Sequence, residues 1–301
     1  MTAFISDYIS YIQESRIKSE TLEYHEMNQY FWQNIESSHW REKRANFYRN
    51  HDLVLNKLDD DVDATWMKQA KNFIARDNLL HYLAKVDNQW IEVNMDTQGF
   101  EPAACSLTRS KPVVFLTFHN FYQILIPIVL AQYFGPVSSF VLDEEAEKDG
   151  LVRTYLSELY KGMEKGLNGG SLLKVGATKS DAAKLKVNEV LRQKGNVYAA
   201  IDMVHPLLGS KTKVSLKTDF FDMDVLAGII DTGLSNEAQF AFPFISLVRD
   251  GTLRLEMFTL SGSTTEEVLA SFQKVFDSII LRDVSVWEGA SLLSYKEGRF
   301  T

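Results

Sequence analysis

The residues of this chain best suited to chemistry are His119, Asp202 and His205, because each follows an apolar run of the kind that forms a buried strand. Lys111-Pro-Val-Val-Phe-Leu-Thr-Phe-His119 starts at a proline-marked turn and delivers one imidazole to its end, with Asn120 beside it. Tyr198-Ala-Ala-Ile-Asp202-Met-Val-His205-Pro206 delivers a carboxylate and then a second imidazole. Open α/β sheets place their chemistry at the carboxyl ends of strands. An imidazole that titrates near neutrality, oriented by a carboxylate, is the usual equipment of general base catalysis. The plain alternative for His119 is a core or capping histidine, and for Asp202 and His205 a turn role before Pro206. A third segment, Gly209-Ser210-Lys211-Thr-Lys213, offers backbone amides and two lysines to a phosphate or an oxyanion, with Lys179 as a further cation; its alternative is an ordinary surface hairpin.

The elements that must position these groups are legible from hydrophobic periodicity. In the first hundred residues aromatic and aliphatic side chains recur at three and four residue intervals, as in Tyr24, Met27, Tyr30, Phe31 and Ile35, which predicts helices. From Val113 the pattern changes to short apolar runs alternating with amphipathic segments, the mark of a mainly parallel sheet covered by helices. Strands are expected at Val113 to Phe118, Ser138 to Leu142, Leu172 to Val175, Val197 to Ile201, Phe240 to Val248 and Leu253 to Thr259. Helices are expected at Tyr122 to Phe134, Gly150 to Lys165, Asp181 to Gln193, Met223 to Gly233 and Thr264 to Ile280. Asp250-Gly251 signals a hairpin between the last two strands. The expected fold is therefore α/β, a mainly parallel sheet with an antiparallel edge and helices on both faces. A helical N-terminal region over residues 1–110 packs on an α/β domain over residues 111–301.

Composition narrows the function classes. The chain has 301 residues, 45% of them apolar, enough for a sizeable core. A net charge of -8 argues against a nucleic-acid partner, whose usual footprint is a basic face. The single cysteine, Cys105, forms no internal disulfide and reads as a small buried residue rather than a nucleophile. No metal-ligating Cys/His cluster is present, and Asp59-Asp-Asp-Val-Asp63 lacks the glycine and distal glutamate of a calcium loop. The N-terminus has neither a basic segment nor an apolar core of a signal peptide, and the longest apolar run falls short of the roughly 20 residues of a membrane span. A cytoplasmic protein is expected, with the inner-membrane surface as a candidate peripheral site. Trp40-Arg-Glu-Lys-Arg-Ala-Asn-Phe-Tyr-Arg49 is basic and aromatic, and reads as a solvated helix face or a groove cover.

The order of Phe118-His119, Tyr198 to Asp202, Leu208-Gly209-Ser210, Ala227 to Gly233, Phe242-Pro-Phe-Ile-Ser-Leu-Val-Arg-Asp-Gly251 and Leu253 to Phe258, with Trp287 and Tyr295 to Arg299 closing the chain, resembles the lysophospholipid acyltransferase superfamily. Within it the chain is similar to the late lipid A acyltransferases and the lipid A glycyltransferase. The resemblance covers roughly residues 110 to 299. It implies transfer of an acyl or aminoacyl group from a carrier-protein or CoA thioester to a hydroxyl or amine, on a lipid or lipid A, with His119 as general base. No bound cofactor is implied, the phosphopantetheine arm arriving with the donor.

The family's histidine is followed, after four residues, by Asp or Glu; here the fifth residue is Ile124. Asp202 is the first candidate to replace that carboxylate, and Asp143 to Glu145 the reserve. The residues expected to bind substrate are Asn120, Lys179, His205, Gly209, Ser210, Lys211 and Lys213. An acyl or peptidyl carrier protein is a candidate partner, with Lys161 to Lys174, Lys184, Lys186, Arg192 and Lys194 as its basic dock. Two alternatives stand beside the transferase: a noncatalytic lipid or carrier binder of the same fold, which Ile124 favours, and a thioesterase that uses the same histidine with water.

Overall fold

The computed structural model describes residues 11, 13–33, 61–143, 145, 150–175, 180–202, 213–218, 222–248 and 250–287. Trp40 to Arg49, Lys179, His205, Gly209, Ser210, Lys211 and Tyr295 to Arg299, singled out in the sequence, lie outside these residues.

The described helices are α1 (Tyr24–Trp32), α2 (Val62–Leu79), α3 (Asn88–Asn94), α4 (Glu101–Ser106), α5 (Ile126–Phe134), α6 (Gly150–Gly166), α7 (Ser180–Arg192), α8 (Gly228–Ser235) and α9 (Thr265–Arg282). The strands are β1 (Met95–Asp96), β2 (Val113–Thr117), β3 (Val137–Leu142), β4 (Leu172–Val175), β5 (Asn196–Ala200), β6 (Lys213–Lys217), β7 (Asp222–Leu226), β8 (Gln239–Leu247) and β9 (Leu253–Leu260). Seven of them form one sheet in the order β1-β9-β8-β2-β5-β3-β4. The block β8-β2-β5-β3-β4 is parallel throughout, and β9 returns antiparallel on β8. The fold is thus α/β with a mainly parallel sheet, an antiparallel edge and a helical N-terminal region.

The parallel strands form for the reason their composition gives. β2 is buried at every position, as a strand covered on both faces must be. On one face Phe115 meets Phe134 of α5, their ring centroids 5.2 Å apart. On the other, Val114 lies so close to Gly233 of α8 that a Cβ there would sit 3.1 Å from Val114 Cγ2 and 2.7 Å from Phe240 Cζ. Phe118, of the same parity as Val114, packs against Phe242, Phe244 and Phe276 of α9. So α5 and α6 cover one face, and α7, α8 and α9 the other. One core cluster runs from Tyr24 of α1 through the sheet to Trp287.

The β8–β9 hairpin turns at Asp250-Gly251, with Leu247 opposite Leu253 and Phe240 opposite Leu260. Gly251 has φ +90°, and a Cβ there would meet the His25 carbonyl oxygen at 2.8 Å, so both conformation and space require glycine. The N-terminal helices pack on this edge, and β1 adds a short parallel strand to β9.

Four expectations need correction. Met223 to Gly233 is not one helix: Asp222–Leu226 is β7, paired with β6, and the helix begins at Gly228. Burial explains it, because Met223 and Val225 are buried while Asp224 is exposed, a period of two rather than of 3.6. The helix expected from Tyr122 starts at Ile126, after a run of turns over 121–125. The helical first hundred residues contribute a strand, β1. Cys105 is exposed, since α4 buries none of its residues. Among the described residues no helix is long and apolar enough to cross a membrane.

Candidate active site

The register of the parallel block sets the site. Thr117 of β2 lies opposite Ala200 of β5, and the Ile201 N–H continues the ladder to the Thr117 oxygen at 3.0 Å. Two residues beyond that pair, past the last residues of β2 and β5, come His119 and Asp202. The carboxylate meets the imidazole there: Asp202 Oδ1 lies 2.7 Å from His119 Nδ1. The same oxygen accepts the His119 backbone N–H at 2.8 Å, and Oδ2 accepts the Trp287 indole N–H at 2.9 Å.

The Asp202 side chain is wholly buried, a position a charge holds only when paired and hydrogen-bonded. Each of its three described contacts is to an N–H group, so the carboxylate acts as acceptor in all of them. That assigns the ring proton to Nδ1 and makes Nε2 the basic nitrogen, on the side of the ring away from Asp202. The His119 side chain is 19% exposed, so the dyad is open to solvent at the imidazole and closed at the carboxylate.

Trp287 follows a single 3-10 turn, Val284–Val286, that caps α9. Its backbone bridges antiparallel to Asn120, and its ring meets Phe276 edge to face at 5.2 Å. Sequence reasoning placed Trp287 only in the family-like tail; an indole late in the chain carries no local signal of the carboxylate it will meet. Asn120 is fully buried, its Nδ2 donating to the Phe118 oxygen at 3.3 Å and its Oδ1 accepting from Tyr122 N–H at 2.8 Å. It shapes the turn that ends β2 rather than facing a substrate, as Asx turns do. The next residues anchor that turn, the Tyr122 hydroxyl donating to Asn72 Oδ1 of α2 at 2.9 Å. Ile124, where the family-like motif would carry a carboxylate, packs half-buried against the core.

Of the reserve carboxylates, Asp143 is buried at the end of β3 and Glu145 is exposed. Lys213 opens β6, and the β6–β7 hairpin reaches the site through Leu226 N–H, which donates to the Ile201 oxygen at 2.9 Å. The basic residues expected to form one dock are divided between helices on opposite faces, Lys161 on α6 and Lys184, Lys186 and Arg192 on α7. Lys161 pairs with Glu158 at 2.7 Å. Among the described residues no group of three or more His, Cys, Asp and Glu side chains is placed to hold a metal ion.

No protein-family model matches the chain, and no curated protein matches it.

Proposed function

We propose that this chain is an acyltransferase in which the His119–Asp202 dyad moves an acyl or aminoacyl group from a thioester to a hydroxyl or amine. The observation that carries the reading is the 2.7 Å contact between His119 Nδ1 and a carboxylate whose other oxygen is held by Trp287. Asp202, reaching across from the neighbouring strand, takes the part that the fifth residue after the histidine plays in the lysophospholipid acyltransferase pattern.

The steps follow from that geometry. The acceptor's O–H or N–H gives its proton to His119 Nε2 while the acceptor atom attacks the thioester carbonyl. The imidazolium so formed is stabilised by Asp202, which fixes the ring and does not itself take the proton. The carbon–sulfur bond then breaks, the thiolate leaves, and the imidazolium returns its proton to the sulfur. The products are an ester or amide and a free thiol. A noncatalytic binder needs no oriented, partly exposed imidazole, so the dyad supports the enzyme over that rival. The thioesterase differs only in using water in place of the acceptor.

The test is thiol release from acyl-CoA and acyl-carrier thioesters, with and without hydroxyl and amine acceptors, beside the His119→Ala variant. Acceptor-dependent release that His119→Ala abolishes is the expected result. Release independent of any acceptor makes the protein a thioesterase, and full activity in the variant removes His119 from the mechanism.

A further inference from the structure

α9 ends at Arg282, and the chain then has only four residues in which to bring the Trp287 indole onto Asp202. Asp283 starts that passage. Its backbone N–H closes α9 on the Ile279 oxygen at 2.9 Å, and its side chain opens the 3-10 turn Val284–Val286. Asp283 Oδ1 accepts the Ser285 N–H at 3.1 Å and the Ser285 hydroxyl at 2.6 Å. Asp283 Oδ2 lies 3.6 Å from Lys68 Nζ of α2. The turn is buried at all three residues, and the Trp287 N–H bonds back to the Val284 oxygen at 3.2 Å.

The two arms of Asp283 differ in weight. Lys68 and Asp283 are 55% and 30% exposed, so their contact is a surface ion pair that contributes little. The bonds to Ser285 instead satisfy a buried N–H and a buried hydroxyl and fix the start of the turn, as a capping side chain does. A short turn passes any shift at its start to the residue at its end. Here that residue holds Asp202 Oδ2 through one N–H at 2.9 Å, a bond that weakens steeply as it is bent. α2 also anchors the segment after His119, through Asn72 and Tyr122, so the segments that lead to and from the dyad seat on one helix.

We propose that Asp283 is a positioning residue of the His119–Asp202 dyad: by capping the 3-10 turn through Ser285 it sets the Trp287 indole that holds the carboxylate. This rests on the transferase reading of the dyad. Asp283 touches neither the imidazole nor a substrate, so its influence on the reaction runs through Trp287 alone. A purely structural cap at the end of α9 would act on stability and leave the dyad as it is.

The test is a double-mutant cycle between Asp283→Ala and Trp287→Phe, read as thiol release per folded molecule from the acyl-CoA and acyl-carrier thioesters named above. Asp283→Ala should lower kcat by about ten- to hundredfold with KM unchanged, the mark of a displaced catalytic group. In the Trp287→Phe background it should add no further loss, because the two changes break one connection. Asp283→Asn keeps the acceptor for Ser285 and loses only the charge facing Lys68, so it should release thiol as the parent does. A second readout needs no activity: proton exchange at the Trp287 indole N–H, its NMR signal identified by its absence in Trp287→Phe. That exchange should be slow in the parent and in Asp283→Asn, and fast in Asp283→Ala. Should Asp283→Ala fail to fold, Ser285→Ala, which deletes the 2.6 Å bond alone, carries the same cycle with a smaller loss. A loss that adds in full to that of Trp287→Phe, a loss carried by KM, an equal loss in Asp283→Asn, or unchanged indole exchange in the alanine variant overturns the proposal. Indole exchange that follows the cap in a protein that releases no thiol leaves the positioning role standing and overturns the transferase reading.

Discussion

Two buried polar clusters in this molecule invite comparison, the dyad at the end of β2 and β5 and the seam where α1 and α2 meet the β8–β9 hairpin. In the seam Asn78 Nδ2 donates to Asn28 Oδ1 at 2.9 Å, and Asn28 Nδ2 donates to the Gly251 oxygen at 3.1 Å. Tyr11 donates to Asn78 Oδ1 at 3.1 Å, and Tyr24 to the Ala75 oxygen at 3.0 Å. Asn28, Asn78 and Tyr24 are fully buried, and their bonds run between groups of the protein. The dyad's chain starts at an equally buried carboxylate but runs outward, to an imidazole that meets solvent. Both networks satisfy their buried groups. What separates a structural network from a chemical one is where its last polar group points.

Exchanging single atoms in each cluster tests that distinction. The largest effect is expected at the dyad: Asp202→Asn should lower thiol release by about ten-thousand-fold, the cost of losing the orienting carboxylate in a comparable triad. It should do so while the circular dichroism spectrum stays that of the parent. Equal release in Asp202→Asn would erase the difference between the two clusters.

In the seam the loss should fall on stability. Asn28→Ala strands the Gly251 carbonyl and the Asn78 amide, each a cost of about 1–3 kcal/mol, so chemical unfolding should show a loss in that range or somewhat above it. Specific activity per folded molecule should be unchanged.

Trp287→Phe sits between the two. It keeps an aromatic ring against Phe276 but removes the N–H on Asp202 Oδ2, a bond to a charged group worth about 1.5–3 kcal/mol. A purely structural indole would lower the melting temperature alone. A positioning indole also lowers thiol release per folded molecule, because Oδ2 then loses the donor that fixes the carboxylate against His119.

The smallest effect belongs to His81, whose Nε2 lies 2.9 Å from Ser15 Oγ on the seam side. Burial first, then the Arg16 charge, lowers its pKa below the ordinary imidazole value. As pH falls the unfolded imidazole therefore takes its proton before the native one. Its contribution to stability is complete above about pH 6.5 and declines below it, down to the lowered native value. Urea midpoints measured across that window should slope less in His81→Asn than in the parent.

The sheet was readable because β2, β3, β4 and β5 are apolar runs of strand length, bounded by turn residues. His119 and Asp202 were readable as strand-end residues for the same reason. The β6–β7 hairpin was not, because Asp222-Met-Asp-Val-Leu226 runs straight into the apolar Ala227-Gly-Ile-Ile230, and the merged stretch imitates one amphipathic helix. Asn120 reads as substrate-binding because its neighbour's chemistry lends it a role, whereas the structure buries it and bonds its amide within the turn. Trp287 could not be found locally at all, since its contact with Asp202 spans 85 positions.

That span bears on when the site comes into being. The donors to Asp202 arrive from 83 residues before it and 85 after it. Contacts so distant in sequence close only after the intervening loops have been ordered, and they close slowly. On a ribosome, a nascent chain emerging N-terminus first can pair β2 with β5 and bury the carboxylate long before the indole that holds its second oxygen has left the exit tunnel. By that order of emergence the sheet forms while the acid is only half anchored, and the second anchor comes with the 3-10 turn Val284–Val286 that precedes Trp287.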